Sequence, residues 1–225
     1  LFVNYQVLIV DDHPLYRLAL KGAVADACEG QVYEANSIEG LFEMMQLHPQ
    51  MDLLLLDLNV PGAHGFNALA HLRGSNPALP IIVVSAADDP RTMRQALAFG
   101  AQSFVSKSAD AASIGHTVRA VLRGEVAAPA HAERKDEPDA ETALRVAERI
   151  AQLTPQQFRV FGMLCSGRLN KQIGETLQIT EATVKAHMTV ILRKLGAANR
   201  TQAVLLAGLL GNGSSDIKQL PEGVE

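Results

Sequence analysis

The sequence predicts an α/β fold, a five-stranded doubly wound (βα)5 sheet over residues 1–123, followed by an all-α four-helix domain over residues 153–210. Three observations predict it. In the first 123 residues short apolar runs alternate with amphipathic stretches, the mark of βαβ units around a parallel sheet. From residue 124 that rhythm stops in a stretch rich in Ala, Pro, Glu and Lys, which reads as a linker. Beyond residue 153 the apolar spacing turns helical and cap residues recur.

In order along the chain, strands are expected at 6–10, 31–35, 52–57, 79–85 and 103–106. Helices are expected near 14–27, 37–47, 65–73, 90–98 and 110–122. Pro14 and Pro90 suit first-turn helix positions, where a missing N–H costs nothing. Five such units give a sheet of order 2-1-3-4-5. The linker runs over 124–152 and carries a short helix at 141–152. Thr154-Pro155-Gln156-Gln157 then supplies an N-cap, a first-turn proline and the third residue of a capping box. Helices follow at about 171–177 after the cap Asn170, 181–195 after the cap Thr180, and 200–209. Residues 211–225 have little to bury and are expected to be disordered.

A chain of 225 residues can hold two such cores. No apolar run approaches the roughly 18 residues of a membrane span, and the N-terminal segment lacks signal-peptide features, so a cytoplasmic location is expected. Cys28 and Cys165 form no disulfide framework or zinc pattern. The charge is uneven. Residues 153–209 carry 7 Lys/Arg against 2 Asp/Glu, while residues 1–123 carry 8 against 12, so only the second domain suits a nucleic acid.

Asp11 and Asp12 close the first apolar run, Asp57 closes Leu53-Leu54-Leu55-Leu56, and Lys107 follows Phe104-Val105-Ser106. Open parallel sheets bind ligands outside the carboxyl ends of their strands. Three carboxylates gathered there repel one another unless a divalent cation joins them. Singly, each residue would read as a turn, a cap or a solvated charge; together they point to phosphoryl chemistry on an aspartate.

Asp11-Asp12-His13-Pro14, Asp57 with Pro61-Gly62 downstream, Ser85 and Lys107 are spaced as in a receiver domain, and residues 1–123 resemble one from a two-component response regulator. Residues 153–209 resemble the helix-turn-helix domain of the NarL/FixJ (LuxR-type) family. The match runs through Leu153-Thr154-Pro155, Asn170-Lys171-Gln172-Ile173, Ile179-Thr180-Glu181-Ala182-Thr183-Val184-Lys185-Ala186-His187, Ile191-Leu192-Arg193-Lys194-Leu195-Gly196 and Asn199-Arg200-Thr201-Gln202-Ala203.

The first resemblance implies Asp57 as the phosphoacceptor nucleophile and Mg²⁺ held by Asp11 or Asp12, Asp57 and the backbone carbonyl of Asn59. It implies Lys107 on a phosphate oxygen and Ser85 as a hydroxyl donor whose movement is followed by Phe104. Phe104 stands where Tyr is frequent. His13 reads as a helix-entry residue.

In the second domain Val184, Met188, Ile191 and Leu195 form one apolar stripe. The opposite arc holds Ala182, Lys185, Ala186, Thr189 and Arg193, small residues and donors that suit a major groove. Lys171, Thr183 and Arg200 are expected at phosphates. Gln157 and Arg159 replace acidic residues common in the family, Gly174 replaces a frequent Ala, and Gln178 holds a turn position often given to Gly. The last helix, with Val204, Leu205, Leu206 and Leu209, carries apolar surface for pairing two copies on DNA half-sites about 10 bp apart.

The expected protein is a DNA-binding transcriptional response regulator, itself not an enzyme beyond its own phosphorylation and dephosphorylation. Its partners would be a sensor histidine kinase, double-stranded DNA and a second copy. Two other readings are an aspartate-phosphate hydrolase, for which no second acid is evident, and a phosphorylation-independent DNA-binding regulator with a silent receiver controlled by a protein partner.

Overall fold

The structure, a computed structural model, describes residues 4–125 and 140–211. Residues 126–139 of the expected linker and 212–225 of the expected disordered tail lie outside the described residues.

The first half alternates β1 (Tyr5–Val10), α1 (Pro14–Ala27), β2 (Gly30–Ala35), α2 (Ile38–Leu47), β3 (Leu53–Asp57), α3 (Asn67–Ser75), β4 (Ile81–Ser85), α4 (Pro90–Ala98), β5 (Ser103–Ser106) and α5 (Ala111–Leu122). The five strands are parallel, in the order β2-β1-β3-β4-β5. Val10 lies beside Leu56, Asp57 beside Val84, and Ser85 beside Ser106. That register brings Asp11, Asp57, Ser85 and Lys107 to one end of the sheet.

Caps fix where the helices start. Ser37 accepts from the Gly40 amide, Asp89 from Arg91 and Thr92, and Asp110 from Ser113. Two element starts in the first half lie two residues from expectation, the others within one. Strand β4 begins at Ile81, because Pro80 has no N–H to give the ladder. Helix α3 begins at Asn67, two residues late, because Gly65 sits at φ 55, outside helical geometry.

The sheet separates two cores. Val7, Ile9, Leu53, Leu55, Ile82 and Val84 pack under α1 and α5 with Leu20, Val24 and Val118. Leu8, Val10, Leu54, Leu56, Ile81 and Val83 face α2 and α3.

That second core does not end with the first domain. It continues through α6 (Ala140–Ala151), α7 (Pro155–Cys165), α8 (Asn170–Leu177), α9 (Glu181–Leu195) and α10 (Arg200–Gly208). Helix α6, expected within the linker, packs on both α3 and α9. Along the seam the His71 ring stacks on Phe158, centroids 4.4 Å apart, with Phe42 edge-on to both. The Arg159 guanidinium lies over the Phe42 ring. A β-carbon on Gly162 would stand 2.5 Å from the Gly62 carbonyl oxygen, so the backbones meet there only because residue 162 is glycine.

The capping box at Thr154 and Gln157 forms as expected. At α8 the expectation is corrected: Asn170 is already helical and Leu169 occupies the cap, its N–H bonded to Gln172 Oε1 at 2.9 Å. Gly174 is required by contact, since a β-carbon there would lie 2.7 Å from the Ile179 carbonyl. Gln178 closes the turn at φ 54, a left-handed conformation that costs a side-chain-bearing residue about 1 kcal/mol. Cys28 and Cys165 are free thiols.

Candidate functional site

The acidic end of the sheet is a closed network. Asp11 and Asp57 are buried at the ends of β1 and β3. Lys107 Nζ reaches Asp57 Oδ2 at 2.7 Å and Asp11 Oδ2 at 2.6 Å. The Asn59 amide donates to Asp57 Oδ1 at 3.2 Å. The Lys107 amide donates to the Ser85 carbonyl, which fixes β5 against β4 and aims the side chain inward. Ser85 is buried, and its Oγ accepts from the Ala87 amide. Phe104 is half-buried against the core shared with the second domain.

Burial pushes the Asp57 carboxyl up from its ordinary range, the Lys107 ammonium opposes that, and Asp11 adds to it. Lys107 is pulled down by burial, but its bonds to Asp11 and Asp57 outweigh that and hold it up. The excess of carboxylate over ammonium is what a divalent cation would relieve.

Asp11, Asp12, His13 and Asp57 each offer a ligand atom, all within 4.8 Å of one another. Asp11 Oδ2 and Asp12 Oδ1 are buried and accept no hydrogen bond of good geometry. The nearest side-chain nitrogens are Lys107 Nζ to Asp11 Oδ2 and His13 Nδ1 to Asp12 Oδ1. Hard oxygen donors with unused lone pairs fit Mg²⁺, which needs few protein ligands and keeps waters.

His13 occupies the N-cap position of α1, the helix-entry place expected for it, and its Nδ1 also sits 2.7 Å from Asp12 Oδ1 and 3.1 Å from Asp11 Oδ1. One neighbour escaped the sequence reading. Tyr16 lies under Lys107, its centroid 5.1 Å from Nζ. Burial and then the Asp11 and Asp57 charges push its phenol up to about 12. Its position one turn into α1 is the only sequence signal it gives.

The second candidate face lies on α9. Val184, Met188, Ile191 and Leu195 are buried as the stripe requires, and Ala182, Lys185, Ala186, Thr189 and Arg193 are exposed. Thr180 caps the helix by accepting from the Thr183 amide, and Gly196 ends it at φ 65. Lys185 pairs with Glu181 one turn back at 2.9 Å. Thr189 Oγ1 donates to the Lys185 carbonyl. Lys171 and Thr183 are exposed.

Arg200 is half-buried and donates to the Leu164 and Arg168 carbonyls, closing the end of α7. That engagement sets it apart from the exposed cations of the face. Gln157, in place of an acid, accepts from Lys194 Nζ at 2.8 Å, so a hydrogen bond stands where an ion pair was the family's pattern.

Comparison with known proteins matches both halves. Residues 7–119 fit the family model of the response regulator receiver domain, and residues 151–207 that of the bacterial regulatory proteins of the luxR family. A glycerol metabolism activator of Pseudomonas putida is 38% identical over 210 residues, 91% of this chain and 95% of the relative. The nitrate/nitrite response regulator protein NarP of Escherichia coli is 31% identical, covering 90% of this chain and 94% of its own. Among solved structures, RcsB captured as two dimers on two parallel DNAs aligns with a TM-score of 0.53 at 20% identity, over 92% of this chain and all of that one. That likeness is one of fold.

Proposed function

The chain belongs to the two-component response regulators that join a receiver to a LuxR-type DNA-binding domain, and from that premise we propose that Asp57 is its phosphoacceptor and α9 its recognition helix. The observation that carries the first assignment is the convergence of Lys107, Asp11 and the Asn59 amide on the Asp57 carboxylate.

In this reading a phosphohistidine of a sensor kinase presents its phosphoryl group at the open end of the sheet. An Asp57 oxygen attacks phosphorus, the phosphorus–nitrogen bond breaks, and the electron pair leaves with the imidazole. Lys107 holds a phosphoryl oxygen as a compact cation, and Ser85 donates its hydroxyl to another. Asp11 or Asp12, Asp57 and the Asn59 carbonyl hold Mg²⁺, whose charge offsets the repulsion between carboxylate and phosphoryl. Phe104 follows Ser85 by changing rotamer. The chain catalyses its own acylphosphate chemistry and no other.

On DNA, Lys185, Ala186, Thr189 and Arg193 face the major groove, while Lys171 and Thr183 meet phosphates. Arg200 serves the same surface by holding the end of α7. The active form is a homodimer paired through α10, where Leu205 is 56% exposed. Membership of a DNA-binding regulator family supports work in the cytoplasm beside the DNA; among the described residues no helix is long and apolar enough to cross a membrane.

The test is intact mass after incubation with Mg²⁺ and acetyl phosphate, native chain against Asp57→Ala. One phosphoryl group on the native chain only is the expected result. None on the native chain would overturn the assignment and favour a silent receiver moved by a protein partner.

A further inference from the structure

The side chains that the proposed function assigns to DNA are not covered by the first domain. Ala182, Lys185, Ala186, Thr189 and Arg193 are all exposed in the closed chain. What the first domain does grip is the far end of α10. The Phe66 amide donates to the Leu210 carbonyl at 2.8 Å, and Asn67 Nδ2 donates to the Ala207 carbonyl at 3.4 Å. The Leu210 carbonyl lies just past the last turn of α10, and the Ala207 carbonyl, inside that turn, also accepts from the Leu210 amide. Leu210 is fully buried in the seam. Two residues earlier in the loop, His64 Nε2 stands 3.2 Å from the Gly162 carbonyl and 3.1 Å from the Ser166 hydroxyl, at the end of α7.

His64 and Phe66 belong to one short segment that follows Asp57, and Asn67 is the first residue of the helix it leads into. Residues 58–66 join β3 to α3, and the first anchored amide of that segment, Asn59, is bonded to the Asp57 carboxylate itself. The segment is well defined along its length. The Ala63 amide donates to the Val60 carbonyl, the Ile38 amide to the Pro61 carbonyl, and Leu58, Val60, Ala63 and Phe66 are buried. Gly62 and Gly65 take the left-handed turns that let it double back, at φ 87 and 55. A change in the charge or geometry of the Asp57 carboxylate therefore acts first on a loop whose other end holds α10.

We propose that the β3–α3 loop is the coupling element of this protein: it reports the state of Asp57 directly to α10, and the closed chain withholds the α10 end rather than the recognition helix. Phosphorylation withdraws the carboxylate from the Asn59 amide, the loop shifts, and Phe66 and Asn67 let go of Leu210 and Ala207. The regulated quantity is the freedom of α10 to meet a second copy. This rests on the phosphoacceptor reading of Asp57, and the experiment separates the two.

The measurement is hydrogen exchange of the Phe66 amide in the full chain by NMR, beside intact mass and sedimentation velocity. The native chain is compared with and without Mg²⁺ and acetyl phosphate, and with Gly162→Ala and Asn67→Ala in the absence of phosphodonor. Gly162→Ala puts a methyl against the Gly62 carbonyl while favouring α7 itself, because Ala is the better helix former; Asn67→Ala removes one grip without adding bulk. Phosphorylation of the native chain and either substitution should speed Phe66 exchange about tenfold or more, and all three should raise self-association. A chain that gains its phosphoryl mass but keeps native Phe66 exchange overturns the coupling and leaves the phosphoacceptor standing. Absence of the phosphoryl mass overturns both. Substitutions that free Phe66 without raising self-association overturn the role given to α10.

Discussion

Lys107 places its positive charge between two buried carboxylates, Asp11 and Asp57. Its removal leaves both without a counter-charge, the case in which breaking a buried pair is expensive. Lys107→Met should lose about 3 kcal/mol of stability in chelator, read from urea denaturation, and should regain more of it in Mg²⁺ than the native chain gains. These residues were legible in the sequence because each closes an apolar run. His71 was not, because a histidine on a helix carries no mark of what will cover it. Neither of its ring nitrogens has a partner in hydrogen-bond geometry among the described residues, although the Ile150 carbonyl is near enough to favour the charged ring. Burial wins and lowers the imidazole to about 4. The sign follows from linkage. The opened or unfolded chain takes up the proton first, near 6.5, so stability is whole above that value and falls as pH drops towards 4. The slope should approach about 1.4 kcal/mol per pH unit. The Arg159 guanidinium on the facing helix gives the protonated ring no relief. The difference in urea midpoint between His71→Leu and the native chain, followed from pH 7 to pH 4, should widen on the acid side; a constant difference would refute the argument.

At the scale of the element, glycine makes the sharpest contrast. Gly22 lies inside α1, and a β-carbon there meets nothing within 4 Å. Gly174 lies inside α8, and its β-carbon would press on the Ile179 carbonyl. Gly22→Ala should therefore stabilise by about 1 kcal/mol, while Gly174→Ala should destabilise despite the same gain in helix propensity; opposite shifts in Tm are the check. The strands, the α9 stripe and most helix starts were readable because they rest on period and caps, which are local. The two that moved, α3 and α8, turned on Gly65 and Gln172, whose effects depend on backbone conformation and on a side chain reaching back. Gly174 shows the same limit, since composition gives its cost and only the turn after α8 gives its reason.

Across the whole molecule, the charge division seen in the sequence sets how DNA is held. Binding through the basic second domain should weaken steeply with salt, and Lys171→Ala should reduce the slope of log K against log salt by about one without changing sequence preference. The seam between the halves had no sequence signature. Nothing in the sequence marks Phe158 or Gly162 as lying against the other half, because an interface is a property of two finished surfaces. Its existence gives the sheet one private face and one shared face. Along β3, Leu53 and Leu55 serve the core that belongs to the first domain alone, whereas Leu54 and Leu56 serve the core continuous with the DNA-binding helices. Four identical side chains in a row thus have two different dependants, and which one suffers when a leucine is lost alternates with every step along the strand.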